Sequence, residues 1–130
     1  MEIRTHQQID RQLCGEPVAV EEGYCLVRFL PGPAMRTDES GLVHGGFIFG
    51  AADYAAMLAV NHPNVVLAGA SVKFLKPVRV NESVDAEARV TRAEGRKRSV
   101  SVTVRRDGEV VFEGELTCFL PDRHVLALSA

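Results

Sequence analysis

The clearest pattern in the chain lies between residues 83 and 120. From 83 to 90, Val84, Ala86, Ala88 and Val90 alternate with Ser83, Asp85, Glu87 and Arg89. Val100, Val102 and Val104 alternate with Ser99, Ser101 and Thr103 in the same way. A period of two means strands with one buried face, which pair antiparallel. Asp107-Gly108 is a two-residue hairpin turn leading into a further strand over 109–120. Ahead of these, residues 67–78 predict one more strand, closed by Pro77. Residues 17–30 are strand-like, with Val18, Val20, Tyr24, Leu26, Val27 and Phe29, and turn partway at Glu22-Gly23.

Residues 46 to about 61 read differently. They are rich in Ala and large apolar side chains, and Asn61-His62-Pro63-Asn64 ends them, so the segment predicts a long helix. It is apolar nearly all round, which places it inside the fold rather than on a surface. A short helix is expected over residues 2–13, carried by Ile3, Ile9 and Leu13. Pro31-Gly32-Pro33 stops regular structure, and residues 36–41 read as a loop. One buried helix and about five or six consecutive antiparallel strands describe an α+β domain whose sheet wraps the helix.

Composition narrows the partners. The length of 130 residues fits one domain, spanning 1–130. Fifteen Lys and Arg against 17 Asp and Glu give a net charge of −2, which argues against broad binding to nucleic acid or anionic membrane. Cys14, Cys25 and Cys118 are odd in number and widely spaced, with no C-x-x-C. They make neither a disulfide framework nor a metal cluster, so a reducing cytoplasm is the expected setting. The N-terminal residues are too polar for a signal peptide, and the apolar stretch 47–60 is short and broken by Asp53. A soluble cytoplasmic protein is expected.

The candidate chemistry lies in Gly41-Leu42-Val43-His44-Gly45-Gly46 and the helix that follows. Two glycines at a helix start leave N–H groups uncovered by any Cβ, where the helix dipole is positive. Such a spot can hold an anion or a developing oxyanion, or the pair can simply permit a tight turn. Asp53 sits in the most apolar part of the chain, where an unpaired carboxylate is expensive. At about 100° per residue it shares a helix face with Gly46, Gly50 and Met57, so a ligand can approach it closely. It is either a buried Asp satisfied by nearby donors, or a general base or nucleophile whose pKa burial raises. Gly46 and Asp53 are separated by roughly 10 Å along the axis, so both can serve one carbonyl only from two copies of the chain.

His44-Gly45-Gly46 followed by Asp53 resembles the hotdog-fold acyl-CoA thioesterases of the phenylacetate-degradation type. Ala70-Ser71-Val72-Lys73-Phe74-Leu75-Lys76-Pro77-Val78 is similar to the strand after the long helix in that family, and Gly95-Arg96-Lys97-Arg98 to a later turn. The resemblance covers roughly residues 15–121. It implies a homodimer, or a dimer of dimers, hydrolysing acyl-CoA without metal or cofactor. Gly45 N–H would hold the thioester carbonyl, with His44 shaping the loop and Gly46 beside it. Asp53 of the other subunit would be base or nucleophile. Pantetheine would run near Ser71 and Lys73, and the CoA phosphates would meet Arg96, Lys97 and Arg98. Lys76, of opposite strand parity to Lys73, would not share a phosphate with it.

One position departs from the family, which usually carries Asn six residues before the histidine. Here Asp38 stands there. A carboxylate donates no hydrogen bond unless protonated and repels an oxyanion. Asp38 is therefore protonated, or turned away, or hydrolysis is weak. The competing class is a non-catalytic hotdog module that binds acyl-CoA or acyl-carrier protein. A dehydratase lacks support, because its His and acid pair is not found.

Overall fold

Ten regular elements follow one another along residues 1–128, the part of the chain that the computed structural model describes. They are helix α1 (Arg11–Cys14), strands β1 (Glu16–Glu21) and β2 (Tyr24–Phe29), a 3-10 turn (Pro33–Met35), and helix α2 (Gly45–Val60). Strands β3 (Val66–Phe74), β4 (Val84–Glu94), β5 (Lys97–Arg106) and β6 (Glu109–Phe119) come next, and helix α3 (Val125–Leu128) closes the series. The six strands form one antiparallel sheet in the order β1-β2-β4-β5-β6-β3, curled about α2. This is the hotdog architecture that the sequence led us to expect.

The alternation over β4 and β5 sets the register: Ala86 faces Val104, Ala88 faces Val102 and Val90 faces Val100. These side chains point inward, and all but Val90 are fully buried. Asp107 and Gly108 adopt φ of 50° and 80°, the paired positive values that the tight β5–β6 turn requires. Helix α2 lies mainly on β2, β4 and β5. Ala51, Ala52, Ala55, Ala56 and Ala59 are all buried, and such small side chains let its backbone approach the sheet. Phe112 of β6 carries aromatic contacts on both sides, edge-to-face with Phe49 of α2 at 6.3 Å and with Phe74 of β3 at 5.1 Å.

The two sheet edges differ. On β1, Pro17 removes a donor and a register shift between Pro17 and Ala19 bends the strand. On β3 the residues from Gly69 to Phe74 pair with β6 in unbroken register, and their other side pairs with no strand among the described residues.

Three expectations are corrected. The helix expected over residues 2–13 shrinks to Arg11–Cys14. His6 takes φ of 54°, and Asp10 caps the short helix by accepting from Gln12 N–H at 2.8 Å. The residues ahead of it are tied to the end of α2, where the buried Asn61 accepts from Arg4 N–H and donates to Glu2 O, both at 2.7 Å. Strand β3 stops at Phe74, because Leu75 and Lys76 both turn their N–H groups to Val111 O. Lys76 thus lies off the strand and pairs with Glu109, so the parity argument that set it against Lys73 does not apply. Helix α2 starts at Gly45, one residue earlier than expected, with His44 as its cap.

Candidate active site

The start of α2 is assembled from three segments. His44 N–H donates to Met35 O at 2.9 Å, and Val43 N–H donates to Val78 O at 2.9 Å. The His44 side chain caps the helix: Nδ1 accepts from Gly46 N–H at 2.8 Å, which puts the ring proton on Nε2. Gly46 N–H is therefore occupied. Gly45 is the first helical residue and has no intrahelical acceptor for its N–H, and no other partner is found among the described residues.

Both glycines also answer a packing need. A Cβ on Gly45 would stand 3.0 Å from the Phe74 ring, and one on Gly46 would stand 2.8 Å from His44 Nδ1. The conformational reading and the anion-holding reading therefore coexist at these positions. Beside Gly45 opens a pocket of about 300 Å³, lined by Val43, Ile48, Phe74, Leu75 and Val78 among others.

Asp53 lies two helical turns further on, on the face it shares with Gly46 and Gly50. Nothing would meet a Cβ on Gly50, so this face stays open. One carboxylate oxygen, Oδ1, is buried with no hydrogen-bond partner among the described residues. Burial pushes its acid up from 3.8 to about 6. Its charge reaches two thiols, adding to the burial that raises Cys14 and that pushes Cys118 up to about 12. All three cysteines are free.

Asp38 occupies a different environment. It is exposed, in the loop between Arg36 and Val43, and Oδ1 accepts from Ser40 N–H at 2.8 Å and from Ser40 Oγ at 2.5 Å. Those bonds hold its acid below the usual carboxylate value. The side chain is turned onto Ser40, and these bonds favour its ionised form over a protonated donor.

The residues assigned to CoA are scattered. Ser71 and Lys73 stand on the sheet face turned away from α2, with Ser101, Thr103, Glu113 and Glu115, around a hollow of about 280 Å³. Arg96 pairs with Asp122 at 2.5 Å, and Arg98 folds back to donate to Gly95 O and Lys97 O. Of the three turn cations, Lys97 alone has no partner among the described residues. The sequence offered no signal for Asp122, 26 positions beyond Arg96. No group of His, Cys, Asp and Glu among the described residues could hold a metal ion. No described helix is long and apolar enough to cross a membrane.

Residues 40–113 match the thioesterase superfamily, and the chain belongs to it. Two curated relatives are similar to the chain over part of their own length. A methylthioribose-1-phosphate isomerase of Aquifex aeolicus is 56% identical over 123 residues, which are 94% of this chain and 27% of that protein. The transcription factor FapR of Shouchella clausii is 38% identical over 89 residues, 68% of this chain and 46% of FapR. The chain thus spans about a quarter and about half of these relatives. Among solved structures, protein PH1136 of Pyrococcus horikoshii superposes with a TM-score of 0.96 at 49% identity, covering 97% of both chains. A mutant of the phenylacetic acid degradation protein PaaI from Thermus thermophilus gives 0.78 at 24% identity, covering 85% of this chain and 97% of that one. That second likeness is one of fold.

Proposed function

We propose that the chain is an acyl-CoA thioesterase of the cytoplasm, working as a homo-oligomer with each site shared between two copies. The observation that carries this reading is Asp53, whose buried Oδ1 has no hydrogen-bond partner among the described residues and which shares a helix face with the uncrowded Gly50. With its acid near 6, Asp53 is mostly ionised at pH 7 and lacks donors that would weaken it as a base. A water oxygen adds to the thioester carbonyl while Asp53 takes one of the water's protons. The carbonyl oxygen becomes an oxyanion at the free Gly45 N–H. Collapse breaks the C–S bond, the proton on Asp53 passes to the departing sulfur, and free acid and CoA thiol result.

Gly45 and Asp53 of one copy are about 12 Å apart along α2, too far to serve one carbonyl. The open β3 edge and the glycine face of α2 support pairing of two copies on that side, which would bring Gly45 of one toward Asp53 of the other. Lys97 is the turn cation available to the CoA phosphates, and Arg96 would have to leave Asp122 to join it.

Thiol release measured over short, long and aromatic acyl-CoAs tests the reading. Mixing Asp53→Asn chains with Gly45→Pro chains should restore about a quarter of wild-type activity, since half of randomly mixed dimers hold one intact site. Absence of any recovery, with subunit exchange verified, would refute a shared site.

A second reading is favoured by two observations. The charged Asp38 stands where the family usually has Asn, and part of a transcription factor is similar to this chain. A non-catalytic module would bind acyl-CoA or acyl-carrier protein and release no thiol. Wild type and Asp38→Asn both binding without hydrolysis would give the protein to this reading.

A further inference from the structure

Arg106 closes β5, and its side chain is 19% exposed. Its guanidinium divides between two segments. Nη2 donates to Glu109 Oε1 at 2.9 Å across the β5–β6 turn. Nη1 donates to the Pro77 carbonyl and lies 3.5 Å from Glu82 Oε1. Glu82 Oε1 in turn accepts from Arg79 N–H at 2.7 Å, and Lys76 Nζ lies 3.6 Å from Glu109 Oε2. One cation therefore fastens both arms of the loop 75–83 to the hairpin.

That loop is bonded to the chain leading into α2. Val43 N–H donates to Val78 O, and Val80 N–H donates to Gly41 O, both at 2.9 Å. Phe74, at the root of the loop, lays its ring against Gly45. Pro77 has no N–H of its own, so its carbonyl is its one backbone handle. A planar fork that meets a carbonyl and two carboxylates at fixed angles suits the place better than the point charge of a lysine.

We propose that Arg106 is a positioning residue: by pinning the loop 75–83 against residues 41–43 it aims the Gly45 N–H. The kinetic consequence rests on the thioesterase reading, whereas the geometric one does not. Between Arg106 and Gly45 the relay is Pro77, the Val78–Val43 hydrogen bond and the Phe74 ring. A misplacement of the donor by even an ångström can cost about 100-fold in rate.

The test compares Arg106→Gln, Arg106→Lys and, as a control, Arg28→Gln, which breaks the exposed pair with Asp85 on β4. In ¹⁵N spectra the Gly45 and Gly46 amide signals should move, and Gly45 should exchange at a new rate, in Arg106→Gln and not in Arg28→Gln. On the best acyl-CoA, kcat should fall about 10- to 100-fold with KM changed less than about threefold. Arg106→Lys should recover part of both effects. An Arg106→Gln protein that loses thermal stability yet keeps both amide signals and kcat would overturn the proposal. Should that variant not fold, Arg106→Lys carries the same comparison, and unchanged amides and kcat there would be equally fatal. If the wild type releases no thiol, the thioesterase reading fails, and the amide signals still decide the positioning role.

Discussion

The two halves of α2 are built to opposite ends. From Tyr54 to Ala59 every residue is 2% exposed or less, and the helix is held by packing. From Gly45 to Asp53 three glycines and a carboxylate interrupt the same helix, and Gly46, Gly50 and Asp53 are all partly open. A glycine inside a helix costs about 1 kcal/mol relative to Ala, and a buried unpaired carboxylate costs more. One half thus supplies the stability that lets the other carry groups unfavourable to folding. Such a local break in otherwise consistent rules is what a functional site would produce, in keeping with the proposed role of Asp53 and Gly45.

The sharpest way to break the contrast is Asp53→Asn. Turnover should fall about 10³-fold, since the amide can neither accept a proton nor attack, while the fold stays intact. Stability should move the other way. Burial raises the Asp53 acid from 3.8 to about 6, so the folded state binds the proton more tightly than the unfolded one. The cost of charging Asp53 is absent below pH 4, grows between 4 and 6, and is complete above 6. Asp53→Asn should therefore gain on the order of 3 kcal/mol at pH 8 and nothing at pH 4, read as Tm at both. In the wild type kcat/KM should climb through pH 6 and level off. A variant as fast as wild type would end the assignment of Asp53.

The next largest effect separates an N–H from a side chain. His44 is extended, with φ −62° and ψ 130°, and Gly45 is the first helical position, both compatible with proline at 45. Gly45→Pro removes the free N–H, whereas Gly45→Ala adds the same Cβ against Phe74 and keeps the N–H. Gly45→Pro should lose about 100-fold in kcat relative to Gly45→Ala, with similar Tm values. Equal rates would show that this N–H holds no oxyanion.

The smallest functional effect belongs to the packed half. Ala55 is fully buried, and Ala55→Leu forces extra methyl groups into it. The cost should be about 1–3 kcal/mol in denaturant unfolding, with kcat per folded site unchanged. A large loss of kcat would mean that the two halves are not separable.

Much of this contrast was legible in the sequence, for physical reasons. Alternation over β4 and β5 reports one buried face, and the all-apolar character of α2 reports a helix inside a curled sheet. Asp53 stood out as a charge where charges are costly. What stayed hidden depends on partners distant in sequence. Arg96 reads as a free cation until Asp122 folds beside it. Asp38 leaves several readings open until the Ser40 N–H and Oγ are seen to donate to it. The segment 2–13 has apolar residues but no helical period, and its contacts with Asn61 cannot be read locally.

The unequal edges of the sheet have a consequence for polymerisation. A strand pairing antiparallel with its own copy consumes the same edge on both molecules, so the joined sheet ends in two β1 strands. Those ends carry Pro17 and a kink, which offer a third molecule no continuous ladder. Growth along the sheet should stop at two chains, whatever the protein concentration. If two copies pair through β3, the edge left at either end would be the one that Pro17 and the register shift make poor for further pairing.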